Sequence, residues 1–297
     1  MSMTAQWACL THVGAVREQN QDAVVGQPPI FAVADGMGGH AAGDIASQIA
    51  VRHLGAFTGS AAVDMESTLA ACRAANAEIL FRSRSEPELA GMGTTVAGVA
   101  LSRTTQGDAA LVFNVGDSRV YLATEAGLVQ ISTDHSLVAE LVAAEEITEA
   151  EARVHPQRNV VTRGLGLEDD VTIDTWVLQA SDVHRRFLIC SDGLTNEIDD
   201  EQLSSLLLKD CSPTQCAEDL LALALERGAR DNVSVVVLDL EPRNGEPGWV
   251  DGDTLPREML PPRTLPPPEP VPATETASLI SAVPTFAHDR LPHDPVP

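Results

Sequence analysis

Lysine is almost missing from this chain: its 297 residues hold one, Lys209, against 18 arginines, and Asp210 follows it. A phosphate-binding loop needs Gly-Lys followed by Ser or Thr, so P-loop nucleotide chemistry is excluded. Positive charge in general is short, with a formal net charge of −24. Phosphate backbones are held by clustered Lys and Arg, and no basic stripe exists here, which argues against a nucleic-acid partner. The five cysteines, Cys9, Cys72, Cys190, Cys211 and Cys216, form an odd set with no Cys-x-x-Cys pair and no histidines at zinc-finger spacing. Reduced, mostly buried thiols are expected, not a disulfide frame or a zinc site. No apolar run approaches the ~20 residues of a membrane span, and no basic-then-apolar leader opens the chain. These absences predict a cytoplasmic protein that works as a monomer, away from membranes.

What is present is organised around Ile30 to His40, which reads Ile-Phe-Ala-Val-Ala-Asp-Gly-Met-Gly-Gly-His. The apolar run is too short for a helix before glycines interrupt it, so it predicts a buried strand that ends at Asp35. Glycines at 36, 38 and 39 leave the backbone bare beside that carboxylate, so a carbonyl can join it as an oxygen ligand for a hard cation.

With 44% hydrophobic residues, the chain can bury a full core, and one large domain plus an appendage is the simplest division. The appendage is visible as a composition break near residue 240, because residues 241–297 hold 14 of the 19 prolines and a net charge of −5. Proline removes backbone donors and fixes φ, so this segment is expected to be a Pro-rich, acidic, extended tail, leaving catalysis to residues 1–240. Within the first 240, strand-like runs fall at 7–13, 30–34, 95–101, 109–115, 120–123 and 128–131, then at 171–178, 186–190 and 233–240. The short gaps suit antiparallel hairpins. Ala46, Ile49, Ala50, His53 and Phe57, then Met65, Leu69, Cys72, Asn76 and Ile79, recur at helical spacing. Ser212-Pro213 reads as a cap and first helical proline ahead of a stripe of Cys216, Leu220, Leu223 and Ala224. Two sheets with helices outside them is the simplest architecture.

Three more aspartates share the placement of Asp35, where an apolar run meets a turn: Asp117, Asp192 and Asp231. One Asp-Gly alone is a common turn dipeptide. Four such carboxylates on strand ends are another matter, because neighbouring strands ~5 Å apart bring their ends together. Like charges gathered so tightly raise one another's pKa unless cations neutralise them, and oxygen ligands favour magnesium or manganese over zinc.

The motifs around these residues resemble the metal-dependent protein phosphatases, also called protein phosphatase 2C, in their bacterial form. Arg17-Glu18-Gln19-Asn20-Gln21-Asp22 looks like the N-terminal phosphate and metal motif, and Ala34-Asp35-Gly36-Met37-Gly38-Gly39-His40 like the central one. Gly93-Thr94-Thr95, Gly116-Asp117-Ser118-Arg119, Asp134-His135-Ser136, Ser191-Asp192-Gly193 and Arg230-Asp231-Asn232-Val233-Ser234 follow in family order. His155 to Gly166 is similar to the flap of bacterial members.

The resemblance implies an α+β fold, a four-layer α/β/β/α sandwich of two mainly antiparallel sheets flanked by helices. It implies two core ions, Mn2+ or Mg2+, and a weaker third. Asp35 would bridge the core pair, the Gly36 carbonyl would bind one ion, Asp192 and Asp231 the other, and Asp22 would act through a coordinated water. Asp117, with Asp192, would hold the third. Arg17 would grip the substrate phosphate, since a guanidinium fork pairs two oxygens and stays charged. Phosphoserine and phosphothreonine proteins would be the substrates, with a serine/threonine kinase as the opposing partner, and a metal-activated water would attack phosphorus without a covalent intermediate. The absence of a Gly-x-Ser-x-Gly elbow fits a water nucleophile.

Two positions depart from the family pattern. Gln21 stands where many members have Glu, and Met37 stands where animal members have a histidine, leaving His40 as the displaced candidate acid. The alternatives are a phosphoprotein-binding pseudophosphatase and a hydrolase of small phosphate esters.

Overall fold

The computed structural model describes residues 4–38, 42–105, 107–124, 126–180 and 184–241. His40 and the expected tail beyond residue 241 lie outside the described residues. In chain order the strands are β1 (Thr4–His12), β2 (Asp22–Gln27), β3 (Ile30–Met37), β4 (Gly93–Thr94), β5 (Val96–Thr104), β6 (Gly107–Val115), β7 (Arg119–Thr124), β8 (Gly127–Gln130), β9 (Asp174–Gln179), β10 (Arg185–Cys190) and β11 (Val233–Glu241). The helices are α1 (Ala42–Gly55), α2 (Met65–Ser85), α3 (Leu137–Ala143), α4 (Glu149–Val154), α5 (Asp192–Thr195), α6 (Asp200–Leu207) and α7 (Pro213–Glu226).

One sheet runs β1-β11-β10-β7-β8 and the other β2-β3-β5-β6-β9, with β4 on β3; the pairings are antiparallel throughout. Strand periodicity explains the layering, because alternate residues of one strand serve two cores. On β3, Phe31 and Val33 face the opposite sheet, whereas Ile30, Ala32 and Ala34 pack with Ala46, Ile49 and Ala50 of α1 and Cys72, Ala75 and Ile79 of α2. On β11, Val236, Leu238 and Leu240 join Phe31 between the sheets, while Val233, Val235 and Val237 pack under Cys216, Leu220 and Ala224 of α7. Burial on both faces makes these strands continuous apolar runs, the signal that made them readable in sequence. The result is the expected α/β/β/α sandwich.

Ser212 caps α7, its Oγ accepting from Gln215 N–H at 3.2 Å, and Pro213 is the first helical residue, as the sequence predicts. Elsewhere the pattern is incomplete. The short β2, Asp-Ala-Val-Val-Gly-Gln, carries too few apolar residues to stand out. The run at 171–178 becomes a strand at Asp174–Gln179, with Val171 buried in the approach to it. The β3 strand continues three residues beyond Ala34, through Asp35 to Met37, because Gly36 and Met37 pair with Thr94 and Gly93. Among the described residues no helix is long and apolar enough to cross a membrane.

Candidate active site

The site lies where strand ends of both sheets meet. Asp22 and Asp35 are cross-strand partners at the β2–β3 pairing, so their position is fixed by hairpin register. The Asp35 backbone is held from β4–β5: its N–H donates to Thr95 Oγ1 at 3.0 Å, and its carbonyl accepts from Thr95 N–H and Thr94 Oγ1, each at 2.9 Å. Gly36 must be glycine. A Cβ there would lie 2.1 Å from the Gly43 carbonyl oxygen, because the start of α1 lies directly against this end of β3.

Asp117 sits in the β6–β7 turn and is buried. Its neighbour Gly116 donates its N–H to His135 Nδ1 at 3.0 Å and accepts from His135 N–H at 3.0 Å and Asn114 Nδ2 at 3.1 Å. The other ring nitrogen of His135, Nε2, lies 3.0 Å from Asp174 Oδ2 and 2.8 Å from Arg163 Nη1. Asp192 opens α5 directly after β10, and its Oδ2 accepts from Asn196 Nδ2 at 3.0 Å. Asp231 precedes β11, and its Oδ2 accepts from Arg17 Nη2 at 2.7 Å. The Asp22 carboxylate is 5% exposed; Oδ2 accepts from Ser191 Oγ at 2.8 Å, while Oδ1 is buried without a hydrogen-bond partner.

Electrostatics tie the group together. Burial, then the charge of Asp22, Asp192, Asp117 and Asp231, pushes the Asp35 carboxyl well above its ordinary range. Burial raises Asp22 to about 6, against the opposing influence of the nearby Ser234 and Ser191 side chains. Asp117 is raised by burial and then by Asp192, and Asp192 by burial and then by Asp231. Arg17 is held more firmly protonated by its bond to Asp231 and by the charge of Asp35 and Asp192. A raised carboxyl pKa means that the surroundings disfavour the ionised form, and a nearby cation reverses that. Among the described residues no three His, Cys, Asp or Glu side chains stand together as a ready-made metal cage. Like charges resist such closeness, and Arg17 already takes one oxygen of Asp231.

All five aspartates named from the sequence, with Arg17, thus contribute to one connected charge cluster. Sequence reasoning missed the supports. Ser191, Thr95 and Asn196 each bond directly to one of these aspartates, and only the first two lie within a quoted motif.

The model of the protein phosphatase 2C family matches residues 13–224. The serine/threonine phosphatase stp of Listeria monocytogenes is 37% identical over 242 residues, covering 77% of this chain and 93% of that one. The crystal structure of the Mycobacterium tuberculosis serine/threonine phosphatase PstP/Ppp superposes with a TM-score of 0.72 at 37% identity, over 80% of this chain and 99% of that one. A structure of the PstP catalytic domain in complex with two manganese ions gives 0.72 at 35% identity, over 81% and 100%. This chain belongs to the protein phosphatase 2C family.

Proposed function

We propose that the chain is a metal-dependent serine/threonine protein phosphatase, cleaving phosphoserine and phosphothreonine by attack of water at phosphorus. The observation that carries this reading is the aspartate cluster: carboxylates from both sheets with raised pKa values beside a half-exposed arginine. The donors fit hard divalent cations, since all are oxygens and Asp22 Oδ1 is a buried acceptor without a partner. Asp35 and the Gly36 carbonyl, with Asp192 and Asp231, would hold two manganese or magnesium ions, Asp22 would hold a coordinated water, and Asp117 with Asp192 a weaker third ion. Such ions, when bound, supply a water of lowered pKa and offset charge on the phosphoryl oxygens.

The chain's own part is orientation. Arg17 places its fork toward the phosphate and keeps its charge through the reaction, which favours the more highly charged transition state. The Asp22–Ser191 bond fixes one carboxylate oxygen and leaves the other for a water. Thr94 and Thr95 hold the Asp35 backbone, so the central carboxylate needs little reorganisation. The substrates would be cytoplasmic phosphoproteins, made by a serine/threonine kinase in the same compartment; five free cysteines suit a reducing one. The test is phosphate release from a phosphothreonine peptide after chelation, with and without added manganese. Release restored by manganese is expected, and full activity in the stripped protein would refute the reading.

A further inference from the structure

The segment that carries Arg17, between β1 and β2, has no regular secondary structure. One side chain from elsewhere holds it on both sides of the arginine. Asn232 is 5% exposed, and its Nδ2 donates to the carbonyls of Val13 and Gln19, each at 2.9 Å, while its Oδ1 accepts from Gln21 N–H at 2.8 Å. A carboxamide is the side chain that offers two donors and an acceptor from one planar group, and here both donors and the oxygen are engaged by this loop. A second clamp lies beside it. Ala15 N–H donates to Ala229 O at 2.8 Å, and Gly14, at φ +82°, comes so near that a Cβ would lie 2.2 Å from Asp231 O. Arg17 itself is 53% exposed and bonds through its side chain to Asp231. Packing therefore does little to place it, and the backbone beneath it must.

We propose that Asn232 is the positioning residue of the phosphate grip: it folds residues 13–21 onto the edge of Asp231 so that Arg17 presents its fork at the mouth of the aspartate cluster. Asn232 touches neither substrate nor ion in this role. It acts through Arg17, and so rests on the reading of Arg17 given above.

The test uses the full chain with manganese and measures inhibition by inorganic phosphate, KM and kcat for a phosphothreonine peptide, and manganese affinity by calorimetry. The variants are Arg17→Ala, Asn232→Ser, Asn232→Asp and the double Arg17→Ala/Asn232→Ser. Asn232→Asp keeps the volume and the acceptor for Gln21 while removing the donors, so it carries the KM and phosphate-inhibition test if the serine variant fails to melt cooperatively; manganese affinity is compared only for Asn232→Ser, because the aspartate adds a charge beside Asp231. Losing the donors should raise KM and the phosphate inhibition constant roughly tenfold and move kcat in the same direction as Arg17→Ala does, with manganese affinity changed less than about twofold. On the Arg17→Ala background, Asn232→Ser should add almost nothing, because two residues acting through one contact are not additive. An unchanged inhibition constant in the Asn232 variants, or full additivity in the double variant, overturns the proposal while leaving Arg17 as the grip. An unchanged inhibition constant in Arg17→Ala overturns the reading of Arg17 and this proposal with it.

Discussion

Buried and half-buried aspartates occur in two regions of this molecule, and they are treated in opposite ways. Asp239, on β11 near the far end of the sandwich, is 5% exposed and faces Arg186, itself 5% exposed, through bonds of 2.7 and 2.8 Å. Burial raises its pKa, but the bonds from Arg186 and His184 outweigh that and hold it below the ordinary range. The remaining Arg186 donors go to the carbonyls of Leu207, Lys209 and Cys211, so this ion pair ties the α6–α7 connection to the sheet. Asp22, Asp35, Asp117 and Asp192 have raised pKa values; the charge of Arg119 opposes the rise at Asp117 and Asp192 without reversing it, and Arg17 bonds to Asp231. An acid whose charge the fold neutralises is structural. Acids whose charges the fold leaves in conflict are held ready for something from outside, at a cost in stability.

The widest break in that contrast is Asp35→Asn. Turnover should fall by at least ~10³-fold with loss of the manganese isotherm, while the chelated protein melts higher because one repelling charge is gone. A lower melting temperature without turnover loss would make Asp35 structural after all. Asp239→Asn should do the reverse, costing about 3 kcal/mol of stability by leaving Arg186 buried without its counter-charge, with kcat of the folded protein kept. Denaturant melts paired with turnover separate the two.

Asp117→Ala should lower turnover by roughly tenfold yet leave the tighter manganese sites in calorimetry, since a single carboxylate supplies little against the hydration of the ion. Wild-type turnover across manganese concentrations would reduce Asp117 to a turn residue.

The pH dependence sharpens the contrast further. Asp22, raised to about 6, binds its proton more tightly folded than unfolded, so the chelated protein should lose stability as pH rises from ~4 to about 6. Asp239, held below the ordinary range, contributes stability above the unfolded value of ~4 and loses it as pH falls through its folded pKa. Manganese should abolish the first slope and not the second, which melting curves against pH, with and without the ion, will read. The smallest effect is expected from ending the chain after Glu241, where β11 closes: melting and turnover should match the full chain, and a lost transition would show that the remaining residues complete the core.

The sandwich was readable because its central strands are buried on both faces, so Ile30–Ala34, Ala109–Val115 and Val233–Leu240 announce themselves as apolar runs. The half-buried elements were not. The short β2 carries one site aspartate, yet nothing in Val24, Val25 and Gly26 distinguishes it from loop. Helices α3 and α4 bury no residue fully, so they have no apolar stripe to detect. In the site, acids at strand ends were legible because carboxylates beside apolar runs are conspicuous. Their hydrogen-bond partners are ordinary polar residues in sequence: Asn196 lies four residues from the aspartate it bonds, whereas Ser191, Thr95 and Asn232 act through contacts across long separations.

Strand β11 sits between β1 and β10, and β11 is the neighbour β1 pairs with in the sheet, Thr4 lying opposite Glu241. Strand β1 therefore waits, as the chain is made, for β11 before this edge is satisfied. At ~5–20 residues per second, the wait lasts roughly 10 to 50 seconds. Asp231 and Asn232 arrive with that last strand, so the Arg17 loop has nothing to close upon during the interval. A nascent chain accordingly lacks part of the candidate site until β11 is made, and a chain cut short before Asp231 lacks both residues for good.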